Sequence, residues 1–131
     1  FNTVDANQFN EISEVDFVTG CCMFLKKENF QKLGGFDTTF YMYGEDVDLC
    51  LRARKFRMKS IYVPEIELFH VVSASIGGMF SVFKFSRKFY SFFKLHYRYG
   101  NLMFLPISII LYFVRIKINL FKYLVKNSHK I

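Results

Sequence analysis

The spacing of apolar and polar positions changes along the chain, and each pattern predicts a different element. Val15–Leu25 (VDFVTGCCMFL) is apolar and reads as a buried strand. Lys27–Leu33 forms a short helix that Gly34-Gly35 ends, because glycine takes the left-handed C-cap conformation without strain. Phe36–Gly44 is a loop dense in aromatic residues. In Glu45–Phe56, Val47, Cys50, Leu51 and Arg54 fall at i, i+3, i+4 and i+7, which predicts a second helix. Lys59–Val63 and Ile66–Val72 are short strand candidates separated by Pro64. Strand, helix, helix and strand in this order indicate an α/β layer with too few strands for a complete sheet.

The second half follows another pattern. If Phe80–Tyr99 is helical, Lys84, Arg87, Lys88, Ser91, Lys94 and Arg98 share one face, and Phe85, Phe89, Phe92 and Phe93 the opposite one. Leu102–Val114 is an uninterrupted run of 13 residues of low polarity with Pro106 inside it. A spanning helix needs ~20 apolar residues, so the run suits an interfacial or re-entrant segment. Lys117, Lys122, Lys126 and Lys130 then follow at near-helical spacing. No internal repeat or low-complexity linker is present.

Charge sharpens this division. Residues 1–67 hold 8 Lys/Arg and all 11 Asp/Glu, a net −3, whereas residues 68–131 hold 10 Lys/Arg and no acid, a net +10. Fourteen aromatic residues also lie at or beyond Phe80. A half both basic and aromatic fits a partner that is anionic and apolar together, a bilayer surface more than a nucleic acid. With 131 residues the chain can hold one domain with a core. Its three cysteines are odd in number and show no C-x-x-C spacing, which fits reduced, buried thiols in a cytosolic setting. The start at Phe1, in a polar stretch without a signal-peptide pattern, raises the expectation of a piece of a longer protein.

The candidate chemistry lies at the start of the second helix, where Glu45, Asp46 and Asp48 gather. Free N–H groups and the helix dipole favour carboxylates there by ~0.3–1 kcal/mol each, an explanation that needs no catalysis. The other reading is that one carboxylate points into a cleft and accepts a proton. Asp46 and Glu45 stand at the loop–helix junction and suit that role; Asp48, one step further in, reads as a helix-surface or capping residue. His70, after an apolar stretch and before the small-residue turn SASIGG, reads on residue pattern alone as packed or surface.

An ordered set of motifs runs through this region. They are Val18, Thr19, Gly20 and Cys22 (V-[ST]-G-x-C), the GGFD turn, the Y-G-E-D-x-D-L helix start, and Y-V-P followed by His70. Over about sixty residues this set resembles the acceptor-side half of family 2 glycosyltransferases of the GT-A fold, and in particular bacterial rhamnosyltransferase-like enzymes. Phe17 stands where the family favours Trp. The resemblance implies Asp46 as the general base that deprotonates the acceptor hydroxyl, and Glu45 as a residue orienting the acceptor sugar. It implies substrate contacts at Gly20, Cys22, Phe36 and Tyr43. It also implies that His70 completes a divalent-metal site, Mg or Mn, whose other ligands lie outside this chain. Arg87 and Lys94 correspond loosely to a basic interface helix that approaches a diphosphate; a solvated or lipid-facing role explains them equally well.

The expectation is therefore the C-terminal portion of a GT-A fold over residues 1–79, followed by a basic, aromatic-rich, membrane-associated helical region over residues 80–131. Its partners would be a nucleotide-sugar donor, a glycan or lipid-linked acceptor, and the cytoplasmic face of a cell membrane, with no nucleic acid. The nucleotide-binding half that precedes this region in such enzymes is absent, so the chain by itself is expected to be inactive. The rival reading is a non-catalytic module that binds a membrane surface or an anionic partner through the basic half.

Overall fold

Local signals set most element boundaries in the computed structural model, which describes residues 8–69, 82–100 and 102–128. The order is β1 (Ser13–Val15), α1 (Lys27–Lys32), α2 (Glu45–Lys55), β2 (Ser60–Tyr62) and α3 (Val82–Tyr99). After a 3-10 turn at Leu102–Phe104 comes α4 (Leu105–Ser128). Two compact units are present, Phe1–Phe92 and Phe93–Ile131.

In the first unit, β1 and β2 pair antiparallel, with Ser13 opposite Tyr62, Glu14 opposite Ile61 and Val15 opposite Ser60. Lys59 Nζ reaches Glu14 Oε2 at 2.8 Å beside this ladder. That hydrogen bond, with the attraction of the carboxylate, raises the pKa of Lys59. Helix α1 ends in a Schellman turn: Gly35 N–H donates to the Phe30 carbonyl and Gly34 N–H to that of Gln31, both at 2.9 Å. Gly34 and Gly35 take φ of 79° and 71°, as their sequence position predicts.

Helix α2 carries its acids in the first turn and Arg52, Arg54 and Lys55 in the last, which matches the helix dipole at both ends. It closes with the same turn: Met58 N–H donates to the Ala53 carbonyl and Arg57 N–H to that of Arg54. Here the left-handed position is Arg57, at φ 59°. A side chain in that conformation costs roughly 1–2 kcal/mol. Arg57→Gly is therefore expected to raise the unfolding free energy by about 0.5–1 kcal/mol, read from denaturant unfolding. An unchanged midpoint would mean that the Arg57 side chain makes up the strain.

The predicted strand over Val15–Leu25 is only partly realised. After Val15 the chain pairs with no strand among the described residues; it runs along α2 instead. Asp16 meets Arg54 at 2.6 Å, the Val18 carbonyl lies 4.0 Å from Cys50 Sγ, and Gly20 N–H meets Asp46 at 3.0 Å. Each step of two residues along this segment matches four on the helix. The physical reason is a coincidence of rise, since two extended residues cover about 6.6 Å and four helical ones about 6 Å. Among the described residues the buried apolar ones are Leu33, Phe40, Leu49 and Cys50, all in the stretch from the end of α1 through α2. Ile66–Phe69, expected as the start of a strand, forms none, and positions 70–72 of that expectation lie outside the described residues.

In the second unit the expected apolar run divides between the 3-10 turn and the first turns of α4. Pro106 sits in the opening turn of α4, where its missing N–H would have had no helical partner. Among the described residues no helix is long and apolar enough to cross a membrane.

Candidate active site

A backbone outlier introduces the site. Tyr43 has φ 67° and Gly44 φ 90°, so two consecutive left-handed residues swing the aromatic loop into α2. For a residue as bulky as Tyr43 this conformation needs support from its surroundings. Lys88 of α3 supplies it, with Nζ 4.8 Å from the centre of the Tyr43 ring. Arg87 lies 4.9 Å from the Tyr41 ring and 5.1 Å from that of Phe83, and Ser91 Oγ donates to the Met42 carbonyl at 3.2 Å. The face of α3 that bears Arg87, Lys88 and Ser91 thus lies against the loop. Lys84 and Ser91 on this face are buried, whereas Phe83, Phe85, Tyr90 and Phe93 are exposed. Arg87 on the same face is half-buried, while Lys88 stays exposed over the Tyr43 ring. Sequence places Lys88 and Ser91 on the basic face, but it shows no partner that would give them a role.

The loop delivers Glu45 and Asp46 at the first two positions of α2. Asp46 Oδ2 accepts the Gly20 N–H at 3.0 Å, and its Oδ1 accepts the Val47 N–H at 2.8 Å. The carboxylate is thus fixed by one donor from its own helix and one from the segment running alongside. Each oxygen keeps a lone pair for a further donor. Glu45 Oε2 is closed off from solvent and meets no hydrogen-bond donor among the described residues. A buried acceptor left in that state costs free energy that a donor from a ligand would recover.

Asp48 does something else. It is fully buried and pairs with Arg52 Nε at 2.8 Å, so it is not the helix-surface residue expected from its position. Arg52 in turn donates through Nη1 to the Leu33 carbonyl at the end of α1. The pair locks the two helices together, and Asp48 faces that joint because it lies two residues, about 200° of helix, beyond Asp46.

The remaining candidates fall in different places. Gly20 and Phe36 line one cleft of about 440 Å³ together with Met23, Leu25, Phe30 and Leu49. The Phe36 ring meets Phe30 edge-on at 5.4 Å. Cys22 lines a larger, mainly apolar cleft of about 660 Å³ between the segment after β1, α2 and β2, and neither Glu45 nor Asp46 borders it. Cys21, Cys22 and Cys50 are free thiols, but only Cys50 is buried and Cys21 is exposed. Lys94 is half-buried, seven residues beyond Arg87 on α3, and belongs to the second unit. His70 lies outside the described residues. Among the described residues no three His, Cys, Asp or Glu side chains stand close enough to hold a metal ion.

Comparison with known proteins adds a separate line of observation. The model of the glycosyl transferase family group 2 matches residues 2–130. The N-acetylglucosaminyl-diphospho-decaprenol L-rhamnosyltransferase of Mycobacterium tuberculosis is 40% identical over 63 residues, 48% of this chain and 20% of that protein. Rhamnosyltransferase WbbL of Escherichia coli K12 is 34% identical over 67 residues, 51% of this chain and 25% of its own length. The O-antigen biosynthesis protein RfbC of Myxococcus xanthus is 40% identical over 58 residues, 44% of this chain and 4% of its own. The chain thus spans a quarter or less of the length of each of these relatives. No solved structure matches it.

Proposed function

The chain belongs to the glycosyl transferase family group 2, and from that premise we propose that it forms the acceptor side of an inverting sugar transferase with Asp46 as the base. Membership implies the GT-A fold, and the mixed helix and sheet of the first unit agree with it. The observation that carries the proposal is the pair at the start of α2. Asp46 is held from two sides by Gly20 and Val47, and beside it stands the buried Oε2 of Glu45, which has no hydrogen-bond partner among the described residues. A capping role accounts for the bond to Val47, but it leaves the Glu45 oxygen without a purpose.

In the proposed reaction an acceptor hydroxyl hydrogen-bonds to Asp46, and its oxygen attacks the anomeric carbon of a nucleotide-sugar. The bond from that carbon to the diphosphate oxygen breaks, the nucleoside diphosphate departs with the electron pair, and the proton passes to Asp46. Attack opposite the leaving group inverts the configuration. Once its side chain turns out of this closed position, the Glu45 carboxylate accepts a second hydroxyl of the acceptor sugar and fixes its orientation. Arg87, stacked on Tyr41, and Lys88, on Tyr43, hold the loop that carries the pair and add positive charge for an anionic substrate group. The relatives named as rhamnosyltransferases support a rhamnosyl donor and a glycan or lipid-linked acceptor in polysaccharide synthesis. A divalent cation with His70 among its ligands belongs to the proposal on the resemblance alone, and no step above runs through it.

The test separates acceptor from donor. In the protein that carries this chain, Glu45→Gln is expected to raise the acceptor KM about tenfold, the equivalent of one hydrogen bond of ~1.4 kcal/mol, with the donor KM unchanged. An equal rise in both would place Glu45 away from the acceptor and remove the support its buried oxygen gives.

A further inference from the structure

The exposed apolar side chains of α4 form a seam. Ile107, Leu111, Val114, Ile118 and Phe121 are spaced four and three residues in turn, with Ile110 beside them. All six are exposed, from 46% at Val114 to 68% at Phe121, along about 21 Å of helix. A seam with this spacing suits two occupants, another helix in a coiled coil or the surface of a bilayer.

Charge decides between them. Coiled-coil register places Leu111 and Ile118 at a and Ile107, Val114 and Phe121 at d. The flanking e and g positions then include Arg115, Lys117 and Lys122 and no acid. Two copies packed in parallel would set position 117 against position 122, lysine against lysine, and antiparallel packing would again set basic flank against basic flank. Nothing nearby in sequence offsets this, since residues 68–131 carry 10 Lys/Arg and no Asp or Glu. Anionic headgroups provide the negative charge that a second copy lacks, in a plane that meets both flanks at once. We propose that α4 lies in the plane of an anionic membrane surface, its seam in the headgroup–acyl boundary and its basic flanks at headgroup level. The proposal stands whether or not the chain takes part in sugar transfer.

The test mixes the full chain with phosphatidylcholine vesicles, with or without phosphatidylglycerol, and floats them at low and at high salt. The chain is expected to float with the anionic vesicles at low salt and about tenfold less with phosphatidylcholine alone or at high salt, where screening shortens the attraction. Leu111→Glu with Ile118→Glu should abolish flotation, and Arg115→Gln with Lys117→Gln should weaken its salt dependence. The chain has no Trp, so Phe121→Trp gives a single reporter whose emission should shift to the blue on anionic vesicles. This readout holds even if the paired Glu variant loses its helix. Absence of flotation at low salt, an unshifted emission, or a dimer that Leu111→Glu dissociates would each overturn the proposal.

Discussion

Asp46→Asn, in the protein that carries this chain, is expected to lower sugar transfer by about 10²–10⁴-fold, the usual contribution of a positioned general base. Donor binding should stay unchanged. The substitution is nearly isosteric, so the effect can be traced to chemistry. The amide oxygen of the variant can still accept one backbone N–H. Its NH₂ group, however, turns a donor toward the N–H of Gly20 or Val47, where Asp46 offers an acceptor. The variant therefore loses basicity and one of two hydrogen bonds. The lost bond alone is worth about 1 kcal/mol of local stability, far less than the barrier of ~3–5 kcal/mol that the rate loss represents. Measuring transfer and unfolding on the same preparation separates the two. Transfer at the wild-type rate would show that Asp46 is only a helix-capping residue and that the base lies elsewhere.

Asp48→Ala should be the most damaging change to folding, at about 3–5 kcal/mol, because removal of one partner leaves the other charge without compensation. Asp48 is fully buried, while the Arg52 side chain is 21% exposed, so the loss belongs nearer the lower figure. One Arg52 nitrogen, Nη2, is already buried with no hydrogen-bond partner among the described residues, which leaves little to absorb a second loss. Few apolar side chains among the described residues are fully buried, so a change of this size is a large part of a small domain's total stability. Denaturant unfolding of Asp48→Ala, Arg52→Ala and the double variant measures the coupling. Additive losses would mean that the pair contributes no joint stabilisation and that each residue acts through its other contacts.

The two substitutions lie two residues apart; sequence singles out Asp46 as the candidate base but gives Asp48 no buried partner. It places both acids in the first turn of α2, where each is favoured for the same electrostatic reason. What separates them is the neighbour across from each. Asp46 turns to a backbone N–H 26 positions earlier, and Asp48 to a guanidinium that also binds the Leu33 carbonyl, 19 positions before it. Helix α3 shows the same gap: its two faces are plain from periodicity, but only the fold places Arg87 over the Tyr41 ring and Lys88 over that of Tyr43. Val15–Leu25 is legible as apolar but not as a segment laid along a helix, because apolar spacing does not name its partner.

Sequence by itself determined the start of α2, the glycine turn after α1, the gathering of carboxylates at one helix start and the basic, aromatic character of the second half. Each depends on backbone preferences and contacts within a few residues, or on composition. The tertiary structure alone decided that Asp46 is held by Gly20, that Glu45 keeps a buried oxygen unpartnered among the described residues and that Asp48 is committed to Arg52. Those assignments arise from groups far apart in the chain, and a carboxylate's role is set by the donors that folding brings to it.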